Sequence, residues 1–131
     1  MKIAIGSDHR GFSLKEDLKD YIQKLGFDYK DFGTFSEESF DYPDSAAEVS
    51  LKVSQGQYDR GILICASGSG MNIVANKYKN IRAAQCFNLK STKLSRLHND
   101  ANIITLGSRL LSTKNALDYV KAFINTKFEG G

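Results

Sequence analysis

The stretch that most constrains the fold is residues 61–77, which read Gly-Ile-Leu-Ile-Cys-Ala-Ser-Gly-Ser-Gly-Met-Asn-Ile-Val-Ala-Asn-Lys. The unbroken apolar run at residues 62–64 is typical of a strand buried on both faces of a parallel sheet. Cys65 ends the run, and residues 66–70 are small enough for a tight turn. Apolar residues then return at helical spacing. The stretch therefore predicts a strand, a turn and a helix, with Cys65 at the carboxyl end of a central strand.

This position favours a functional site. Open parallel sheets bind ligands at the carboxyl ends of their strands. Backbone N–H groups at the start of a helix attract negative charge, and a nearby thiol becomes reactive in the same field. A buried structural cysteine beside an ordinary glycine turn is the alternative. The combination of Cys65, two serines and two glycines at one junction favours function over structure.

Strand and helix patterns alternate along the rest of the chain. Strands are predicted at residues 2–6, 27–32, 81–86 and 102–107, and helices follow them, with a loop at residues 33–43. Ser13 and Glu16 predict a capping box at the first helix, and Ser112 or Thr113 a cap for the last. Cys86 is predicted to be a core residue. The alternation predicts an α/β fold with a five-stranded parallel sheet and helices on both faces.

Composition excludes several classes of protein. A chain of 131 residues is long enough for one domain, predicted over residues 1–131. The net charge of +3 includes no basic run, so nucleic acid is not an expected partner. The sequence offers no signal peptide and no membrane span, so no membrane partner is expected. Two cysteines, Cys65 and Cys86, make no disulfide framework and predict a reducing cytoplasm.

Several motifs come close to known sites without matching them. The Gly68-Ser69-Gly70 turn lacks the third glycine of a dinucleotide fingerprint, and the chain has no P-loop. A cysteine phosphatase loop needs an Arg where Met71 stands. His9 and His98 have no metal-ligand spacing to Asp8 or Cys65, so no metal is predicted.

Other polar residues are predicted at the same sheet edge as Cys65. Asp8 and His9 end the first strand, and Arg109 follows the fifth, where it could hold an anion. The alternative is a capped turn and a surface arginine. His98 and Asn99 end a helix, where they could equally compensate the helix dipole and form a cap.

Three blocks of the chain resemble ribose-5-phosphate isomerase type B, in the family that also includes the galactose-6-phosphate isomerase subunits. They are Ile5-Gly6-Ser7-Asp8-His9 with Gly11 and Lys15, the stretch 61–77, and residues 94–102 with Gly107-Ser108-Arg109. The resemblance implies a Rossmann-like three-layer α/β/α sandwich and interconversion of ribose 5-phosphate and ribulose 5-phosphate. It also implies dimers or tetramers with sites at the subunit interface and no metal or organic cofactor.

The resemblance also implies roles for individual residues. Cys65 is implied as the base that moves a proton between C1 and C2, and His98, from the neighbouring subunit, as the acid that opens the sugar ring. The remaining substrate-binding residues are implied to be Asp8, His9, Ala66, Ser67, Gly68, Ser69, Gly70, Asn99 and Arg109.

Two alternative functions stay open from the sequence. One is isomerisation of a six-carbon sugar phosphate, allose or galactose 6-phosphate. The other is a phospho-sugar binding subunit without catalysis, although binding alone needs neither Cys65 nor His98. The family pattern continues beyond residue 131 with an Arg-His pair and a further Arg that hold the phosphate. Among residues 1–131, His9 and Arg109 are the cations expected to bind the phosphate.

Overall fold

The computed structural model describes residues 1–35 and 42–130, without the side chains of residues 42 and 43. The strands are β1 (Lys2–Ser7), β2 (Asp28–Asp31), β3 (Arg60–Cys65), β4 (Ala83–Gln85) and β5 (Ile103–Gly107). The α-helices are α1 (Phe12–Lys24), α2 (Tyr42–Ser54), α3 (Ser69–Ala75), α4 (Leu89–Leu97) and α5 (Thr113–Asn125). Residues 36–41 of the predicted 33–43 loop lie outside the described residues.

The five strands form one parallel sheet in the order β2-β1-β3-β5-β4. β3 is the middle strand, and its residues 61–65 are buried. Its register places Cys65 opposite Gly107 of β5 and Ile64 opposite Ser7 of β1. The α/β class, the parallel sheet and the central place of the Cys65 strand are therefore confirmed.

Helices cover both faces of the sheet and make three layers. On one face, isoleucines of β1 and β3 pack against apolar residues of α1 and α5 in a continuous core. On the other face, α2 and α3 pack against a second cluster that includes Leu63 and Cys65. Successive side chains of β3 alternate between these two clusters, as the pleat of a strand requires. This arrangement confirms the Rossmann-like α/β/α sandwich.

The start of α1 differs from the predicted capping box. A 3-10 turn, His9–Gly11, precedes the helix, and Oδ1 of Asp8 accepts hydrogen bonds from N–H of Arg10 and Gly11, each at 3.0 Å. The residue that caps α1 is Gly11, which makes no side-chain cap bond. The Ser13–Glu16 prediction is wrong because an aspartate five residues earlier already satisfies the N–H groups at this end.

The predicted strand at residues 81–86 is shorter in the structure. N–H of Arg82, just before β4, donates to the side chain of Asn102, and N–H of Ala83, the first residue of β4, donates to the side chain of Asn76. Side chains therefore take the backbone donors that a longer strand would use. Cys86 follows β4 and is 2% exposed, as predicted for a core residue. Burial raises the pKa of the Cys86 thiol, although hydrogen bonds with Thr92 and Ser95 oppose the shift.

Candidate active site

The carboxyl ends of β1 and β3 meet where the path of the chain reverses. From β1 the chain passes through α1 to β2 on one side, and from β3 through α3 to β4 on the other. Because α1 and α3 cover opposite faces of the sheet, the chain leaves β1 and β3 toward opposite faces. Such a switch point is where open α/β sheets bind ligands.

Cys65 lies at this switch point, at the end of β3. The residue is 6% exposed, and its Sγ accepts a hydrogen bond from N–H of Gly68 at 3.1 Å. Gly68 has a φ of +85°, a conformation that favours glycine, and it directly precedes α3. The turn therefore bends back over the thiol. N–H of Ser69 donates to Oγ of Ser67, so a second donor of the turn is also engaged.

The loop after β1 brings Asp8 and His9 to the same place. N–H of Asp8 donates to the carbonyl of Ile64, the residue before Cys65, at 3.1 Å. A Cβ on Gly11 would lie 2.6 Å from that same carbonyl oxygen, so the 3-10 turn packs directly on the end of β3. Asp8 is 8% exposed, and its carboxylate is fixed by its two N–H donors. The predicted grouping of Asp8 and His9 with Cys65 matches this packing.

The loop after β5 completes this edge of the sheet. N–H of Ser108 donates to the carbonyl of Cys65 at 2.8 Å, and N–H of Arg109 to that of Ala66 at 3.0 Å. Oγ of Ser108 donates to the carbonyl of Arg10 at 3.0 Å. Three loops, after β1, β3 and β5, are thus joined by hydrogen bonds around Cys65. The exposed side chain of Arg109 also lines a cavity of about 260 Å³ together with Arg10.

His98 and Asn99 lie at the opposite edge of the sheet. α4 begins beyond the carboxyl end of β4 and runs back, so that His98 ends it near the amino end of β5. The guanidinium of Arg82, just before β4, donates to the carbonyl of Asn99 at 3.1 Å. β5 rises roughly 13 Å from Ile103 to Gly107, at about 3.3 Å per residue. Within one chain, the structure therefore does not bring His98 and Asn99 to Cys65.

His98 and Asn99 line a second cavity, of about 430 Å³, separate from the one that Arg109 lines. Its wall also includes Ala83 and Ala84 of the short edge strand β4, and both His98 and Asn99 are exposed. The predicted site residues therefore fall into two groups. One surrounds Cys65 at the carboxyl edge, and the other opens outward at the amino edge.

A buried arginine supports the loop that carries His98. Arg96 is 2% exposed, and its Nη1 contacts Oδ1 of Asp100 and the carbonyl of Ala101, each at 2.7 Å. Its Nε donates to the carbonyl of Thr126, after the end of α5. Asp100 has a φ of +50°, which is uncommon for a residue other than glycine. Arg96 thus holds the loop after α4 and the segment after α5 together.

A second buried cation lies beneath the segment that follows β2. The ammonium of Lys15, fully buried, contacts Asp31 and the carbonyl of Thr34. N–H of Thr34 donates to the carbonyl of Ser7, the residue before Asp8. Burial alone would raise the pKa of Asp31, but hydrogen bonds from Lys15, from N–H of Gly33 and from Lys19 hold that pKa below its ordinary value. This ion pair ties α1 to the end of β2, and the hydrogen bond of Thr34 ties the following segment to the end of β1.

Sequence reasoning missed one residue at the site. The side-chain amide of Gln85, at the end of β4, donates to the carbonyl of Ser67 and to Oγ of Ser69. Gln85 is 16 to 18 residues away from the turn that it contacts. No spacing or motif in the sequence signals this contact, because it depends on the order of the strands.

Comparison with known proteins decides the family. A family model described as Ribose/Galactose Isomerase matches residues 3–131. The chain belongs to the ribose/galactose isomerase family.

No group of three or more His, Cys, Asp or Glu side chains is arranged to hold a metal ion in residues 1–35 and 42–130. Nor is any helix in those ranges long and apolar enough to cross a membrane.

Individual members of the ribose/galactose isomerase family are similar to this chain in sequence and in structure. Ribose-5-phosphate isomerase B of Escherichia coli is 44% identical over 130 residues, which cover 99% of this chain and 87% of that protein. D-erythrulose-4-phosphate isomerase of Pectobacterium atrosepticum is 39% identical over 132 residues, covering 100% of this chain and 87% of that protein. The solved ribose-5-phosphate isomerase B of Clostridium thermocellum superposes with a TM-score of 0.98 at 48% identity, covering 100% of this chain and 88% of that one.

Proposed function

We propose that this protein is an aldose–ketose isomerase that interconverts ribose 5-phosphate and ribulose 5-phosphate, as one domain over residues 1–131. The observation that carries the proposal is the position of Cys65. Its sulfur lies at the switch point of the sheet, under the N–H of Gly68 and between the Asp8–His9 loop and the Ser108–Arg109 loop. Relatives named ribose-5-phosphate isomerase B support this choice of substrate.

In the proposed reaction, Cys65 as a thiolate removes the proton from C2 of the open-chain aldose. The electron pair of that C–H bond forms the C1–C2 double bond of an enediolate, and O1 takes up a proton. The thiol then returns its proton to C1, while O2 loses its proton and becomes the ketone oxygen. One base therefore serves both carbons, and such a base typically contributes about 10²- to 10⁴-fold to the rate.

Opening of the sugar ring needs a separate acid. His98 is proposed for this role, with Asn99 beside it, and both come from the neighbouring subunit of a homodimer or of a larger assembly of dimers. The support is geometric: within one chain they lie at the opposite edge of the sheet from Cys65, and they are exposed. A second copy could present them to Cys65, with no change in either chain's fold.

The remaining residues are proposed to bind the substrate. Asp8 and His9 face the sugar, residues 66–70 line it, and Arg109 binds the phosphate. Charge on the enediolate requires oriented donors, and removal of one such donor typically costs about 2.7–4 kcal/mol. The N–H of Gly68 already points at the thiol, so it is placed to stabilise negative charge beside the reacting carbons.

An assay with purified protein tests the proposal. Ketose formation from ribose 5-phosphate should be readily measured and should persist in the presence of a chelator. Cys65→Ala should lower the rate at least about 100-fold, while the unfolding midpoint stays close to that of the parent. Inactivation by iodoacetamide should be slowed by substrate and should persist in Cys86→Ala. Near-normal turnover by Cys65→Ala would overturn the assignment of the base.

The choice of sugar is tested in the same assay. Allose 6-phosphate, galactose 6-phosphate and erythrulose 4-phosphate should each give a lower kcat/KM than ribose 5-phosphate. A higher value for any of them would change the proposed substrate and leave the proposed chemistry in place. Tight binding of ribose 5-phosphate without turnover would instead favour a phospho-sugar binding protein.

A further inference from the structure

Gln85 makes two hydrogen bonds to the turn that follows Cys65. Its Nε2 donates to the carbonyl of Ser67 at 2.8 Å and to Oγ of Ser69 at 2.9 Å. An amide NH2 group has two hydrogens, so both of its donors are used on this one turn. The two acceptors stand on either side of Gly68, whose N–H donates to Sγ of Cys65.

The path of the turn explains how a residue of β4 can reach it. β5 lies between β3 and β4, so the turn must cross the end of β5. It does so over Gly107, where a Cβ would lie 2.6 Å from the carbonyl oxygen of Ser67. Gly107 thus lets the backbone of the turn rest directly on the strand. Beyond it, Gln85 fixes the far side of the turn by hydrogen bonds.

We infer that Gln85 is a positioning residue of the isomerase site, acting through Ser67 and Ser69. It holds the residues on both sides of Gly68, and so it keeps the N–H of Gly68 aimed at Sγ of Cys65. This inference rests on the proposed function. Misplacement of a reacting group by about 1 Å can cost about 100-fold in rate, so a loosened turn impairs the chemical step. Substrate affinity also depends on Asp8, His9 and Arg109, which lie outside this turn, and so it changes less.

A series of substitutions separates this role from a general contribution to stability. Gln85→Leu removes both donors and keeps much of the side-chain volume. Gln85→Glu keeps the shape but brings a carboxylate against two oxygen acceptors. Gln57→Leu is the matched control, because Gln57 is exposed and its amide contacts Gln55 alone among the hydrogen bonds described. It should behave like the parent protein.

The expected result is a loss in kcat with little change in KM. Gln85→Leu should lower kcat about tenfold or more and change KM for ribose 5-phosphate by less than about twofold. Gln85→Glu should be at least as impaired, despite its closer shape. A hydroxamic acid analogue of the enediolate should lose affinity in proportion to kcat/KM, because it reports on the transition state. A contribution to stability alone would leave the kcat of the folded protein unchanged.

Two outcomes would overturn the inference. One is an unchanged kcat in Gln85→Leu when the parent protein is an active isomerase. The other is unchanged amide hydrogen exchange at Gly68 and Ser69 in that variant, because loss of the two bonds should speed exchange there. The exchange measurement does not depend on activity. An inactive parent with faster exchange in Gln85→Leu would therefore refute the proposed function and retain the positional role of Gln85.

Discussion

The backbone N–H of Gly68 donates a hydrogen bond to Sγ of Cys65 across 3.1 Å. The bond depends on a φ of +85° at Gly68, which residues with a side chain rarely adopt. A Cβ at this position would also lie 3.1 Å from the carbonyl carbon of Leu106. The orientation of the turn over the thiol is therefore set by a position that tolerates little besides glycine.

Gly68→Ala should impair both stability and turnover. The strained backbone costs roughly 1–2 kcal/mol of unfolding free energy, and displacement of the N–H should lower kcat. Gly56→Ala is the control, since Gly56 has a φ of +77° but an added Cβ would meet nothing within 4 Å. Urea denaturation should show a loss in both variants, larger in Gly68→Ala because its Cβ also crowds Leu106, and kcat should fall in Gly68→Ala alone. An equal kcat in the two would contradict a role for the turn in the chemistry.

The proposal that active sites are shared between subunits predicts complementation. Cys65→Ala and His98→Ala should each be impaired as homodimers. When the two variants are mixed, unfolded and refolded together, half of the dimers should be hybrids with one intact site. Activity should then recover to roughly a quarter of the parent value, as expected for a two-fold symmetric dimer.

The control for this experiment mixes Cys65→Ala with the double variant Cys65→Ala/His98→Ala, which cannot form an intact site. Mass spectrometry of differently labelled chains shows whether subunits have exchanged. Proven exchange without any recovery of activity would mean that each site is built within a single chain.

Stability should depend on pH through the ion pair of Lys15 and Asp31. The folded-state pKa of Asp31 lies below its ordinary value, so its stabilising contribution is present above about pH 4, the usual pKa of an unfolded Asp. That contribution is lost as the pH falls through the lower folded-state pKa. Asp31→Asn leaves the buried ammonium of Lys15 without its carboxylate and should cost about 3 kcal/mol at pH 7.

Urea denaturation of the parent and of Asp31→Asn at a series of pH values checks this prediction. The difference between them should be largest at neutral pH and should shrink in acid. Asp28→Asn is the control, because Asp28 is exposed on the same strand. A difference that stays constant down to pH 3 would show that the charge of Asp31 is not responsible.

Among residues 1–131, Arg109 should contribute most of the binding free energy of the substrate phosphate. A hydrogen bond to a charged group is worth about 1.5–3 kcal/mol, so Arg109→Met should raise KM for ribose 5-phosphate about 10- to 150-fold. Lys114→Met removes an exposed cation near the start of α5 and should leave KM unchanged. Steady-state kinetics on both variants gives the comparison. A KM within twofold of the parent in Arg109→Met would place the phosphate elsewhere.

Local sequence signals predicted the fold well. The stretch 61–77 encodes its strand, turn and helix in adjacent residues, and the structure has all three. Ser112, one of the two predicted caps for the last helix, caps α5, and its side chain accepts a hydrogen bond from N–H of Asn115. The prediction for the start of α1 was wrong because the sequence offers two possible caps there, Asp8 and Ser13. The backbone N–H groups bond to the carboxylate of Asp8.

Features that depend on the order of strands could not be predicted from local patterns. The contact between Gln85 and Ser67 requires β5 to lie between β3 and β4, and no spacing in the sequence records that order. The separation of His98 from Cys65 does not depend on that order and was predictable, since a helix between two parallel strands must return to the amino edge before the second strand begins. The grouping of Asp8 and His9 with Cys65 was predictable, because parallel strands end at one edge.

The two outer strands differ in a way that bears on self-association. β2 reads Asp28, Tyr29, Lys30, Asp31, and its exposed positions are the charged residues 28 and 30. An open strand edge is a template for the backbone of another molecule, and charged side chains along it oppose such pairing. Ala83, Ala84 and Gln85 of β4 carry no charge, and there the short length of the strand limits pairing. Neutralising substitutions at Asp28 and Lys30 should therefore promote aggregation long before they affect the fold.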